Sequence, residues 1–234
     1  MKTRAAYWKT VAVVIVGVSA MLAPASGSAG STTISIVPPS EALAQTGKTY
    51  GEWSAAWWQY YLGIPLEDNP GFSETGANCG FMQDGPVFFL MGSPGGSVTR
   101  SECSVPSGKF LFFPLVTISY YQTHETERGL RGFLQSFIRS ARELHASVDG
   151  IDIGALVSLD PRDSPLRAAS PDGFFPVIAP EDNVFGGVPG QSYNTAADGF
   201  YLIVAPLPPG QHTIRFGGVS RNFATDTTYN LTVE

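Results

Sequence analysis

Apolar positions along this chain change period three times, and the changes predict its elements. From Thr49 to Pro65 the sequence TYGEWSAAWWQYYLGIP places Tyr50, Trp53, Ala56, Trp57, Tyr60 and Tyr61 on one helical face and Ala55, Trp58 and Leu62 on the other. Thr49 and Glu52 have the spacing of a capping box at its start, and Gly63 with Pro65 reads as its stop. A short helix that is apolar on both sides is expected either between two layers or with one face turned to a ligand. Trp53, Trp57, Trp58 and Tyr61 are therefore candidates for core and for ligand contact alike.

Period two follows. GPVFFLMG predicts a buried strand, and KFLFFPLVTISYY predicts a longer one in which Pro114 marks a bulge or an edge, since proline has no ladder donor. From Leu130 the helical period returns through Phe133, Leu134, Phe137, Ile138, Ala141 and Leu144. A helix over 130–144 would place Arg128, Arg131, Arg139 and Arg142 within about 80° of one another. That stripe reads as a solvated face paired with acids of the body, or as a dock for carboxylate or sulfate groups.

Beyond it the pattern is strand to the end. SVDGIDI carries Asp149-Gly150 between β-branched neighbours, a two-residue hairpin signal. ALVSL, GFFPVI, GFYLIVA, HTIRFGG and TYNLTV follow, separated by Pro, Gly and Asn turns. The unit GFYLIVAPLPPGQHTIRFGG with TYNLTV resembles the closing strands of immunoglobulin-like sandwich modules, a resemblance that covers the last ninety residues or so and implies a fold, not an activity. The expected architecture is mainly β: an antiparallel β-sandwich with immunoglobulin-like C-terminal strands and two packed α-helices. Residues 30–234 are expected to form one unit, with a possible division near residue 147.

The first 29 residues change the setting. Lys2, Arg4 and Lys9, the apolar VAVVIVGVSAML and small residues from Ala23 to Ala29 form an export signal, with cleavage after Ala25 or Ala29. The apolar run is short for a membrane span. A secreted or periplasmic protein without a membrane span is expected. Its removal takes away three cations and leaves 11 Lys and Arg against 20 Asp and Glu, a net charge near −9 that disfavours nucleic acid as a partner. In an oxidising compartment the two cysteines, Cys79 and Cys103, are expected to pair, as a staple on a hairpin.

Candidate chemistry is sparse. Two oxygen-rich loops, LEDNPGFSETGANCG and PEDNVFGG, lack the Asp-x-Asp-x-Asp-Gly spacing of a calcium loop, so no metal is assigned and calcium is the only ion they suggest. His124 and His145 would stand roughly 30 Å apart at the ends of the second helix, leaving His145 with His212 as the one possible pair. GQSYN at Gly190 lacks the second glycine of a serine-hydrolase elbow. Paired carboxylates for glycosidase chemistry are drawn from Glu52, Asp68, Asp84, Glu125, Glu127, Asp149 and Asp152, which also read as ordinary surface acids. The expected function is a non-catalytic extracellular or envelope-associated module binding a carbohydrate or an apolar small molecule. A polysaccharide hydrolase using paired carboxylates and a structural surface subunit are the rival readings.

Overall fold

The computed structural model describes residues 34–123 and 125–234, so the export signal, its two cleavage sites and His124 lie outside the described residues. Helix α1 (Pro39–Thr46) closes on Gly47 in the left-handed conformation, φ 87°. Helix α2 (Tyr50–Gly63) begins with the expected capping box: Thr49 Oγ1 accepts from the Glu52 N–H at 3.2 Å, and Glu52 Oε2 accepts from the Thr49 N–H at 2.7 Å. Those bonds, from the Thr49 backbone first, hold the Glu52 carboxyl below its ordinary pKa. The stop works differently from the glycine cap expected. Gly63 stays helical, and Ile64 turns extended (φ −97°, ψ 133°), the geometry Pro65 requires of the residue before it.

Strands β1 (Val87–Phe89), β2 (Gly96–Val105) and β3 (Phe110–Tyr121) precede helix α3 (Glu127–Ile138). Strands β4 (Ala141–Val148), β5 (Ile151–Asp152), β6 (Arg167–Ala169), β7 (Phe175–Ile178), β8 (Ser192–Val204), β9 (Gly210–Ser220) and β10 (Phe223–Val233) follow it. One sheet has the order β1-β3-β8-β6, with β7 also on β8; the other has the order β2-β10-β9-β4-β5. The sheets face each other, with Phe113 stacked on Phe216 at a ring separation of 4.4 Å. Each takes strands from both sides of residue 147.

The fold is mainly β, but the wholly antiparallel, immunoglobulin-like arrangement is replaced by two mixed sheets, and the helices among the described residues are three. Strand β1 lies parallel to β3, and β2 parallel to β10. The cause is the segment after β1, which leaves the first sheet at Leu90 and crosses to the second, where Ser93 bonds to Thr227 and Thr225. Cys79 and Cys103 are bonded as expected. They do not staple a hairpin, because β1 and β2 stand in different sheets; the bond ties the turn at Cys79 to the β2 edge of the second sheet.

Helix α2 is buried on both sides, as its two apolar faces require. Tyr50 packs edge-on to Phe112 and Trp53 edge-on to Phe89, while Ala55 and Leu62 meet Phe175 and Val177 of β7. The Tyr50 hydroxyl donates to Val37 O at 2.8 Å and accepts from the Ile203 N–H at 3.0 Å. Gly51 permits the close approach to β6: a Cβ there would stand 2.5 Å from Ala169 O.

The second predicted helix is half helix and half strand. Helix α3 ends at Ile138, and residues 141–148 form β4 against β9. Leu144, Ala146 and Val148 are buried in alternation, so Leu144 satisfied both periods and the sequence did not separate them. Glu143, at φ 55°, sits in the bulge between Arg142 and His145. The Asp149-Gly150 hairpin forms as expected, with φ of 51° and 78°. ALVSL is no strand: Ile153–Ala155 makes a single 3-10 turn capped by Asp152. The bulge at Pro114 is present, between β3 and β8.

Arg100 of β2 is 1 % exposed, and among the described residues it forms no ion pair. Its Nε donates to Ser73 O (2.8 Å), one terminal nitrogen to Met91 O (2.7 Å) and the Tyr229 hydroxyl (3.2 Å), the other to Gly71 O (2.8 Å). The oxygen-rich loop is thereby pinned to β2 and β10.

Candidate functional site

A slot opens where β1 departs from β3. Up to Phe112 the β3 edge is covered: the Phe110 N–H bonds to Pro86 O and the Leu90 N–H to Phe112 O, each at 3.0 Å. Beyond Phe112, no strand among the described residues pairs with that edge. The pattern on β8 shows which groups it presents. The Tyr201 N–H bonds to Leu166 O and the Ile203 carbonyl accepts from Val37, so odd-numbered residues of β8 face away from β3. Even-numbered ones face it, opposite Val116, Ile118 and Tyr120. The alternating residues Thr117 and Ser119 therefore turn their backbone N–H and C=O toward the open edge, and no described group hydrogen-bonds to them there.

Every residue from Pro114 through Tyr121 lines the slot, which a strand does with its edge and not with one face. One wall is Trp57, Trp58, Tyr61 and Leu62 of α2, continued by Val184 and Phe185. The other is Phe137 of α3 and Phe223 of β10. The cavity measures about 650 Å³, within the range of small-ligand pockets. Among the described residues no Asp, Glu, His, Lys or Arg lines it.

A short polar chain fixes the wall to the floor. Trp58 Nε1 donates to Thr117 Oγ1 (3.0 Å), which also meets the Tyr201 hydroxyl and donates to Asp198 O (3.1 Å). Ser54 Oγ donates to the Tyr201 hydroxyl at 2.8 Å. Burial pushes the Tyr201 phenol up to about 12 and the Tyr61 phenol likewise up to about 12, so both remain protonated donors at neutral pH. Gly199 faces Thr117 across the ladder, where a Cβ would come within 2.7 Å of the threonine Cβ.

The four aromatic candidates separate. Trp53 (7 % exposed) lies in the core away from the slot and donates to Thr46 Oγ1. Trp57 (4 % exposed) backs the slot with its Nε1 on Leu90 O, while Trp58 and Tyr61 are half-buried. Tyr61 is stacked near-parallel with Trp57 (5.4 Å) and with Phe72 (6.1 Å).

The arginine stripe is not one face of one helix. Arg128 and Arg131 stand on α3, Arg139 caps it, and Arg142 belongs to β4. Arg131 is engaged by Glu127, Ser170 O, Pro171 O and Gly173 O, latching α3 to the loop before β7. Arg139 and Arg142 border a second, polar hollow with Arg162 and Arg167, where three of the four are met by acids: Glu143 meets Arg142, Asp160 meets Arg162, and Asp198 meets Arg167, while Arg139 bonds to Gln135.

His145 and His212 each hold a different carboxylate, Asp226 at 3.2 Å and Asp149 at 2.7 Å. Five of the candidate acids have structural partners: Glu52 and Asp152 cap helical turns, Glu127 binds Arg131 and the Gly173 N–H, Asp149 meets His212, and Glu125 accepts from Thr123. In the oxygen-rich loops Asn69 and Asn183 bond to neighbouring backbone and build turns. Among the described residues no three His, Cys, Asp or Glu side chains gather in a metal-binding group. Slot residues that the sequence did not single out include Thr117, Ser119 and Phe223; the one local signal was Pro114, which marks where the edge changes.

No protein-family model, curated protein or solved structure matches this chain.

Proposed function

We propose that this is an exported, non-catalytic binding protein whose ligand is an uncharged, largely apolar molecule held in the slot between α2 and the β3 edge. The observation that carries this reading is an open cavity of about 650 Å³ walled by aromatic and aliphatic side chains, with no Asp, Glu, His, Lys or Arg among the described residues that line it. Such a lining can desolvate an apolar ligand and offers no acid–base pair to move a proton. Export is supported by the signal read in residues 1–29 and by the formed disulfide. Among the described residues no helix is long and apolar enough to cross a membrane.

The test is a titration with the uncharged fluorophore N-phenyl-1-naphthylamine. Saturable binding with one site per chain, weakened by Trp58→Ala, is expected. Absence of saturable binding by the folded protein overturns the reading.

A further inference from the structure

The slot has two features that an apolar small molecule would leave unused. Its floor is a row of backbone donors and acceptors, from Thr117 and Ser119, repeating every second residue at about 7 Å. Its walls carry apolar side chains on both sides of that row. Buried or half-buried backbone groups demand partners, and a row with this period and alternating partial charge is complemented by another extended backbone.

We infer that the slot binds an extended, uncharged peptide segment of a partner protein, which adds a strand to the bare edge of β3 and sets alternate apolar side chains against α2 on one side and Phe137 and Phe223 on the other. This rests on the slot being a binding site, as proposed above, and specifies its ligand. Charge complementarity disfavours charged residues in the buried part, because no described residue of the lining would neutralise them. The length follows from the edge: Pro114 to Tyr121 spans about 25 Å, enough for a segment of about seven residues. The occupant is a single strand and not the sheet edge of a second copy. The edge is recessed between α2 and the Phe137–Phe223 wall, and a second copy would bring its own two walls into the same gap.

Ser119 offers a clean perturbation. Its N–H faces the slot, so Ser119→Pro removes one donor from the open edge and none from the β8 ladder, the one side of a strand on which proline is tolerated. A displayed library of seven-residue peptides is selected on the full chain, and the selected peptides are measured by fluorescence anisotropy with and without N-phenyl-1-naphthylamine. Selected peptides should alternate apolar residues, lack charge and displace the fluorophore. N-methylation of every second amide should weaken them about tenfold, and methylation of the intervening amides about twofold or less. Ser119→Pro should weaken peptide binding by about tenfold, at least about fivefold more than Ser119→Ala, which keeps the N–H.

If the fluorophore binds and no selected peptide displaces it, the strand-addition proposal is overturned and the slot reading stands. If neither binds, both fail. Equal effects of the two N-methylation patterns also overturn strand addition, and that comparison uses the unaltered chain, so it decides even where Ser119→Pro perturbs folding. Dimerisation of the chain that Ser119→Pro abolishes would identify a second copy as the occupant and overturn the proposal.

Discussion

Trp58 and Thr117, 59 residues apart, are joined by one hydrogen bond from the indole Nε1 to the threonine hydroxyl, which ties the α2 wall of the slot to its β3 floor. Replacing Thr117 by Val keeps the shape and removes the acceptor shared by Trp58 and Tyr201. Trp58 Nε1 then loses its acceptor, Asp198 O loses a donor and the buried Tyr201 hydroxyl keeps only Ser54, and stability should fall by about 1–3 kcal/mol. Urea denaturation measures the loss; Thr117→Ser, which keeps the hydroxyl, should recover most of it.

The three tryptophans of α2 should differ in what their removal does. Trp57→Ala empties a site in the main core and should cost about 3–5 kcal/mol, and Trp53→Ala should do the same. Trp58→Ala removes a half-buried ring and should cost about 1–3 kcal/mol. Denaturation curves of the three variants give the ranking. Equal losses at all three would contradict the separation into core and wall.

The Cys79–Cys103 bond closes a loop with a sequence separation of 24, worth roughly 3 kcal/mol through the entropy of the unfolded chain. Alkylation of denatured, unreduced protein should add no label. Reduction should lower the denaturation midpoint without abolishing the fold, because Arg100 holds the same loop by separate bonds.

How much of this was legible in the sequence depended on distance along the chain. The capping box at Thr49 and Glu52 and the Asp149-Gly150 hairpin are satisfied by neighbours within three or four residues, and both were readable. The pairing of Cys79 with Cys103 was readable because there was no alternative partner. The boundary between α3 and β4 was not, since Leu144 fits both periods and the pairing of β4 with β9, some seventy residues away, decides it. The parallel pairs were hidden for the same reason, being set by where the chain crosses after Leu90. The bare edge is defined by a strand that ends, and the only local trace of that is Pro114.

Acid should weaken the fold through Asp226. The bidentate Arg215 guanidinium, at 3.0 and 2.8 Å, and to a lesser degree His145, hold its carboxyl below the ordinary value of 3.8. A depressed carboxylate contributes stability that is fully present above the unfolded value, near 4, and is lost as pH falls through the lower folded value. Asp226→Asn should therefore be less stable at pH 7 and should lose less stability between pH 5 and pH 2 than the parent. Circular dichroism during urea titrations across that range checks it; an acid limb of unchanged slope would remove Asp226 from the account.

Arg100 decides how the molecule comes apart. Its charge is permanent, and inside the fold it is met by the carbonyls of Gly71, Ser73 and Met91 and by the Tyr229 hydroxyl. If the loop over Gly71 and Ser73 lifted alone, it would strand part of that guanidinium without acceptors beneath the ring of Tyr229. Local fraying is thus penalised in a segment whose sequence looks like an ordinary surface turn. Its protected amides are expected to exchange with those of β2 and β10 in one cooperative opening, so that a loop contributing no strand of its own belongs to the slowest-opening part of the protein.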